Sequence, residues 1–374
     1  MLVVVRCRSH DHDTGATICG KATIQTHLGR EFILRLPNHA SCFASSPLPL
    51  VMLIHCYGCH ASMEIVKFSA AADKLGFGLV APEGPGNSWN APSCCGPARL
   101  ESRPDVEFID ALVARLLAQP TRFHASALFA SGFSNGGFMT SYLAEASKVQ
   151  WAGIAPTAGH EYALTLNRAP LPIHMHHCRT DGHVNMSGCC YDHGLELQTC
   201  CCNIVHRTCV AIENLFGRWL EVNKCRGSRP TTIMNLPHAQ CSTGVGCAAE
   251  TTLCVHGGGC IHSHWSKSFP ATEQLLIFFA RQLCIEQGGT RASAEDAPCY
   301  CRVGRAGPHC LHSTVEALMV ERSGGAAGSR ALANDEHVSL GAALQGGDAG
   351  REVDMKRKTS GRRWRGGSWS TRVA

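Results

Sequence analysis

Ala127-Leu128-Phe129-Ala130-Ser131-Gly132-Phe133-Ser134-Asn135-Gly136-Gly137-Phe138-Met139 is the stretch whose reading decides the fold. Ala127–Ala130 is a short apolar run of the kind found in a strand buried on both faces. Phe138 to Ala146 carries a helical stripe. Between them lies G-x-S-x-G, so the serine stands at a tight strand-to-helix turn. Small residues two positions to either side spare such a turn a clash, and the helix start aims free N–H groups at any negative charge developing beside the serine. Ser134 is therefore the candidate nucleophile, and Asn135 N–H a candidate oxyanion donor.

Working outward, more short strands precede and follow. Glu31–Leu36 alternates, and Pro49–His55 is a continuous apolar run. Gly78–Ala81, Gly153–Ala155, Pro172–His176 and Thr252–Val255 are further short runs. Helical periods separate them: Val106 to Leu117 with Asp105 as a cap or first-turn residue, Ala211–Val222, and Thr272–Leu283. Strands alternating with helices predict an α/β fold with a mostly parallel sheet flanked by helices. Residues 1–30 show no clear period and read as an irregular or edge-strand start. Residues 186–210 break the rhythm as a Cys-rich loop insertion. The expected organisation is a catalytic domain at 20–290, a Cys-rich extension at 291–319 and a disordered basic tail at 320–374.

Composition narrows the class. The chain has 374 residues, 44% hydrophobic and 17% charged, enough apolar material for a sizeable core. No apolar run approaches the roughly 18 residues of a membrane helix, so no membrane partner is expected. The net charge of +5 is local, because residues 351–374 carry eight basic and two acidic side chains. The rest of the chain has no basic bias, and no nucleic-acid partner is expected. Lys356-Arg357-Lys358 reads as part of a solvated tail.

Cysteine is abundant at 23, with fifteen between Cys189 and Cys310. That density predicts disulfides and an oxidising, extracellular location, although Leu2–Val5 is too short for the core of a signal peptide. Two other readings of these residues exist. Histidines 174, 176, 177, 183 and 193 lie near Cys178, Cys189 and Cys190, and Cys200–Cys202 precede His206, which would suit a metal-binding module. However, the cysteines are adjacent rather than spaced as zinc ligands, and alternate histidines of a strand face opposite ways. No metal site is predicted. Cys299-x-Cys301-x8-Cys310 has the ending of an EGF-like repeat without its remaining cysteines and reads as a disulfide-pinned fragment.

A nucleophilic serine needs a base and an orienting carboxylate, in the chain order Ser, acid, His. Asp181 follows the strand Pro172–His176 in Arg179-Thr180-Asp181-Gly182-His183 and is the candidate acid; the bland alternative is a turn aspartate. After the last strand comes Gly257-Gly258-Gly259-Cys260-Ile261-His262-Ser263-His264-Trp265, where either His262 or His264 can be the base. A second oxyanion donor is expected from His55-Cys56-Tyr57-Gly58. The Tyr57 N–H is the candidate, against the alternative of an ordinary turn.

Together these segments resemble a family. Leu53-Ile54-His55-x-Tyr57-Gly58, Ser88-Trp89-Asn90 with Cys94-Cys95-Gly96, Asp105-Val106-x-Phe108 and Gly132-Phe133-Ser134-Asn135-Gly136-Gly137-x-Met139 occur in order. Thr180-Asp181 and the Gly-rich His-Ser-Trp segment complete the set. They look like the secreted feruloyl esterases and poly(3-hydroxybutyrate) depolymerases, over roughly residues 20–285. The resemblance implies an α/β-hydrolase fold, a Ser134–Asp181–His262 triad with His264 as the alternative base, and no cofactor; a monomer is expected. The implied substrate is a plant-wall feruloyl ester, with a polyester as the alternative. Cys56 in place of the family's glycine, Ile261 before the histidine and Ser266 after Trp265 depart from the pattern. They leave open an inactive homologue, or a metal- or carbohydrate-binding secreted protein.

Overall fold

The computed structural model describes residues 4–6, 19–39, 42, 47–118, 122–161, 168–188, 210–231, 239–257, 260, 262 and 271–286. The extension at 291–319, the tail at 320–374 and most of the insertion, 189–209, lie outside them. Eleven strands form one sheet among the described residues: β1 (Val4–Arg6), β2 (Ala22–His27), β3 (Arg30–Arg35), β4 (Leu48–Ile54), β5 (Gly78–Pro82), β6 (Phe123–Phe133), β7 (Gly153–Thr157), β8 (Ile173–Cys178), β9 (Ser228–Thr231), β10 (Ala239–Gly244) and β11 (Thr251–His256). Their order is β1-β2-β3-β5-β4-β6-β7-β8-β11-β10-β9. From β5 through β4, β6, β7 and β8 to β11 every pairing is parallel, whereas β3 and β10 run antiparallel to their neighbours.

The apolar runs become central strands because both faces of the sheet are covered. Along β4, Leu48, Leu50, Met52 and Ile54 enter one core, while Val51 and Leu53 enter the other. The first core is closed by α3 (Asp105–Leu117), α4 (Asn135–Ala146) and α5 (Ile212–Val222), through Phe108, Leu112, Phe138, Phe216 and Trp219. The second is closed by α1 (Ala61–Leu75) and α6 (Ala271–Glu286), through Ile65, Phe68, Leu276 and Phe279. A short α2 (Pro97–Leu100) lies between β5 and α3. Among the described residues no helix is long and apolar enough to cross a membrane.

The structure differs from the sequence reading in several places. Helix α1 carries no expected element, because Ala61, Ala71, Ala72 and the charged Glu64 interrupt the larger Ile65, Phe68 and Leu75 along its buried stripe. Gly76, at φ 76°, ends that helix with a left-handed cap. The region 1–30 holds the edge strand the sequence allowed for, β1, and beside it β2, whose half-exposed residues lack alternation because it lies near the sheet's margin. The β9–β10 pair is polar and was likewise not expected. Asp105 agrees with the sequence reading in its first-turn form, lying inside the first turn of α3 with Pro104 at the cap position and no side-chain cap. Its carboxylate instead accepts from Arg30 Nη1 and from Asn90 N–H, both at 2.7 Å. Arg30 lies over the Phe108 ring at 3.7 Å, so this cation joins β3 to α3.

Candidate active site

β6 ends at Phe133 and α4 begins at Asn135, leaving Ser134 alone on the turn at φ 56°, ψ −121°. That backbone region is strained for any residue with a Cβ and persists only where the surroundings enforce it. Here Ser134 N–H donates to Thr157 O at 2.9 Å and Phe138 N–H to Ser134 O at 2.9 Å, which pins both sides of the turn. The two glycines are required by close approach. A Cβ at Gly136 would run into the Ile54 and His55 carbonyls, and one at Gly132 into Gly136 itself. Gly136→Ala is therefore expected to prevent soluble expression or to lower Tm by more than ~5 °C, read by a thermal melt, since the obstacle is backbone that cannot step aside.

The acid and the base come from the ends of neighbouring parallel strands. β8 pairs with β11 so that Cys178 stands opposite His256. Three residues past Cys178, Asp181 turns back, and its Oδ1 accepts from the N–H groups of His183 and Val184, both at 2.8 Å. From the β11 side, His262 brings Nδ1 to 2.8 Å from Asp181 Oδ2 and Nε2 to 2.8 Å from Ser134 Oγ, although serine and histidine are 128 residues apart in the chain. A carboxylate that accepts from Nδ1–H leaves the Nε2 lone pair facing the serine hydroxyl, the tautomer that a general base requires. Burial alone would push the Asp181 carboxyl up. The hydrogen bond and charge of His262, with the Val184 N–H and His177, outweigh it and hold the group below its ordinary value. Ser134 and Asp181 are 5% and 4% exposed, so little water competes for these contacts.

Neighbours that sequence reasoning missed fix the imidazole. Phe133 lies 5.0 Å from the His262 ring and His183 meets it edge-on at 4.9 Å. Behind the acid, His177 donates Nε2–H to Val184 O at 2.8 Å. Their sequence signal is only adjacency to Ser134 and Asp181. His264 lies outside the described residues.

Asn135 has two roles open to it. Its N–H opens α4, where the first backbone donors have no partner within the helix. Its side chain accepts from Trp89 N–H at 2.7 Å and donates to Trp89 O and Cys94 O, at 3.0 and 2.8 Å. Trp89 Nε1–H in turn donates to His55 O at 2.9 Å, tying this loop to the end of β4. Tyr57 follows in the turn after β4. There Cys56 is bonded to Cys59 and packs against Phe133 and Ala158, so the loop lies against the residue before the serine. Tyr57 is 54% exposed, and the Cδ2–Cε2 edge of its ring lies close to Gly96. His55 accepts Gly84 N–H at Nε2, 2.9 Å, and donates Nδ1–H to Cys56 O, 2.8 Å. Burial holds that imidazole neutral, down to about 4.

The histidines of β8 divide as strand geometry requires. His174 packs beside Phe278 and His176 stacks on His256 at 4.7 Å, while His177 points to the Asp181 side. Among the described residues only Cys178, Cys260 and His256 are grouped closely enough to hold a metal ion, and the two sulfurs are bonded to each other. His193, Cys189, Cys190, Cys200–Cys202 and His206 lie outside the described residues.

Numbered from β2, the eight strands to β11 run first, second, fourth, third, fifth, sixth, seventh, eighth across the sheet, with the second antiparallel and the serine turn after the fifth. The chain has the α/β-hydrolase fold. No protein-family model matches it. Over 114 residues it is 34% identical to NocK of Nocardia uniformis subsp. tsuyamanensis, a protein named as an esterase; the match takes in 30% of this chain and 33% of NocK. The chain thus spans about a third of the length of that relative. Among solved structures it is similar to an acetyl xylan esterase from Aspergillus awamori (13% identity, 69% of this chain and 98% of that one, TM-score 0.44). A second is an S-formylglutathione hydrolase from Agrobacterium tumefaciens (14% identity, 68% and 90%, TM-score 0.43). The α/β-hydrolase assignment rests on this chain's own strand order and turn.

Proposed function

We propose that this esterase-like α/β-hydrolase is a serine carboxylic ester hydrolase with Ser134 as nucleophile, His262 as base and Asp181 as the orienting acid. The observation that carries the reading is the single line of contacts from Asp181 Oδ2 through His262 to Ser134 Oγ, both links 2.8 Å long. His262 Nε2 takes the hydroxyl proton as Oγ bonds to the ester carbonyl carbon. Asp181 stabilises the imidazolium, and the N–H groups of Asn135 and Tyr57 receive the oxyanion, each such donor contributing roughly 3–4 kcal/mol in the transition state. His262 then gives that proton to the departing alkoxide. Water repeats the sequence on the acyl-enzyme, with the acid released and Ser134 restored.

We take the substrate to be a feruloyl ester of a plant-wall polysaccharide. The exposed Tyr57, one residue after the Cys56 that packs on Phe133 and with its ring edge near Gly96, supports an aromatic acyl group, since flat rings stack on aromatic faces. Six disulfides among the described residues support an extracellular setting. The test is covalent: an alkyl phosphonofluoridate should label Ser134 stoichiometrically, located by peptide mass, and abolish hydrolysis of p-nitrophenyl acetate. Labelling elsewhere, or none, overturns the mechanism. Methyl ferulate should then be cleaved faster than a 3-hydroxybutyrate oligomer, and the reverse order would assign the polyester substrate. Tyr57→Ala should raise KM for methyl ferulate ~10-fold with little change for p-nitrophenyl acetate.

A further inference from the structure

Two loops must meet for this site to exist, and one covalent bond joins them. Cys178 ends β8 and precedes Asp181 by three residues; Cys260 follows β11 and precedes His262 by two. Their sulfurs are bonded across 82 residues of chain, with the two side chains 1% and 2% exposed. Among the described residues, non-covalent contacts between the loops cluster at the same place, His183 meeting the His262 ring edge-on. Thr180 Oγ1 donates to Cys260 O at 2.6 Å and Arg179 N–H to His256 O at 2.7 Å; beyond them comes the Asp181–His262 pair itself.

We propose that the Cys178–Cys260 disulfide is a positioning element of the site, fixing the acid's loop against the base's loop so that ester hydrolysis runs at full rate only while this bond is intact. The inference rests on the function proposed above and adds its dependence on redox state. Cleavage is a two-electron step: a dithiol reductant transfers two electrons and two protons, the S–S bond becomes two thiols, and the reductant closes to its own disulfide. Among the described residues the loops then keep hydrogen bonds and the His183–His262 ring contact but no covalent tie, and His262 gains freedom to leave the line between Asp181 and Ser134. Displacement of a catalytic group by about 1 Å costs on the order of 10²-fold in rate. Substrate binding does not run through these sulfurs, so the loss falls on kcat.

The experiment compares Cys178→Ser/Cys260→Ser with Cys225→Ser/Cys247→Ser. The second pair removes a disulfide at the opposite end of β11, beyond Thr251. The first variant should lose kcat for p-nitrophenyl acetate on the order of 10²-fold with KM within about threefold. It should also lose the downfield proton signal of the His262–Asp181 hydrogen bond. The control should keep both properties whatever its melting temperature. Should the first variant not fold, folded wild-type protein is titrated with dithiothreitol, and alkylated cysteines are mapped as activity falls; the loss should track Cys178 and Cys260. Full kcat in the variant, or in protein alkylated at both positions, overturns the proposal while leaving the esterase reading intact. Wild-type protein with an unlabelled Ser134 overturns that reading and this inference with it.

Discussion

Ser134→Ala is expected to lower kcat for p-nitrophenyl acetate by about 10⁶-fold, and Asp181→Asn by about 10⁴-fold, in proteins whose melting curves stay close to wild type. The serine variant removes the atom that becomes acylated and leaves only what oriented donors can do for water. Its Cβ already occupies the site, so the turn geometry is undisturbed. The asparagine case is more discriminating. Oδ1 of residue 181 already accepts from the N–H groups of His183 and Val184, and an amide oxygen can go on doing so. The amide nitrogen then takes the place of Oδ2, facing His262 Nδ1. Two N–H donors cannot share that contact, and the amide oxygen 3.0 Å from Nδ1 is already taken by two N–H donors, so the imidazole shifts toward a proton on Nε2 and presents a donor to Ser134 Oγ. A serine facing a donor has no base. Steady-state kinetics with a phosphonate titration of active sites checks both; a D181N protein within tenfold of wild type would mean that this aspartate does not set the tautomer.

The second large effect concerns acid. Burial lowers the pKa of each of His55, His174 and His177 to about 4, from an ordinary value of 6.5, and it also holds His160 and His176 well below that ordinary value. A histidine that stays neutral when folded contributes stability that is fully present above pH 6.5. That contribution is lost as pH falls toward 4, because across this window the unfolded chain binds a proton that the folded chain refuses. Each such group costs about 1.4 kcal/mol per pH unit, so the first three alone give a slope of roughly 4 kcal/mol per unit. Burial pushes the Glu64 and Asp105 carboxyls up, which works against this near the bottom of the window. A domain's whole stability is about 5–15 kcal/mol, so the protein is expected to unfold between pH 6 and pH 4.5. Urea titrations at pH 7.5, 6 and 5 measure the slope. His174→Leu, which replaces an imidazole packed beside Phe278, should flatten it by about 1.4 kcal/mol per unit. A pH-independent midpoint would show that these imidazoles are solvated.

The central strands were readable because burial on both faces leaves an uninterrupted apolar run: all seven residues of β4 and all five of β5 are buried. Helices α3, α5 and α6 announced themselves through large side chains at intervals of three and four. Helix α1 did not, because alanine marks a buried face poorly, and the β9–β10 pair did not, because marginal strands keep polar residues on both sides. Ser134 stood out through the local sterics of its turn, and Asp181 through its place after a strand. Between His262 and His264 the residues by themselves left the choice open, and only the likeness of Ile261-His262-Ser263-(His264)-Trp265 to the family's Gly-His-Ser-Trp ending pointed to His262. The structure carries His262 to Ser134. The pairing of Cys178 with Cys260 was equally out of reach, being fixed by the register of β8 on β11 rather than by spacing.

The distance along the chain between nucleophile and base has a consequence for biosynthesis. At about 5–20 residues per second, a ribosome that has translated Ser134 needs roughly 6–25 s more to reach His262. During that interval the nascent polypeptide owns a serine with no proton acceptor. On the proposed mechanism, turnover begins only after the second half has folded into place, which makes it a sensitive gauge of complete maturation.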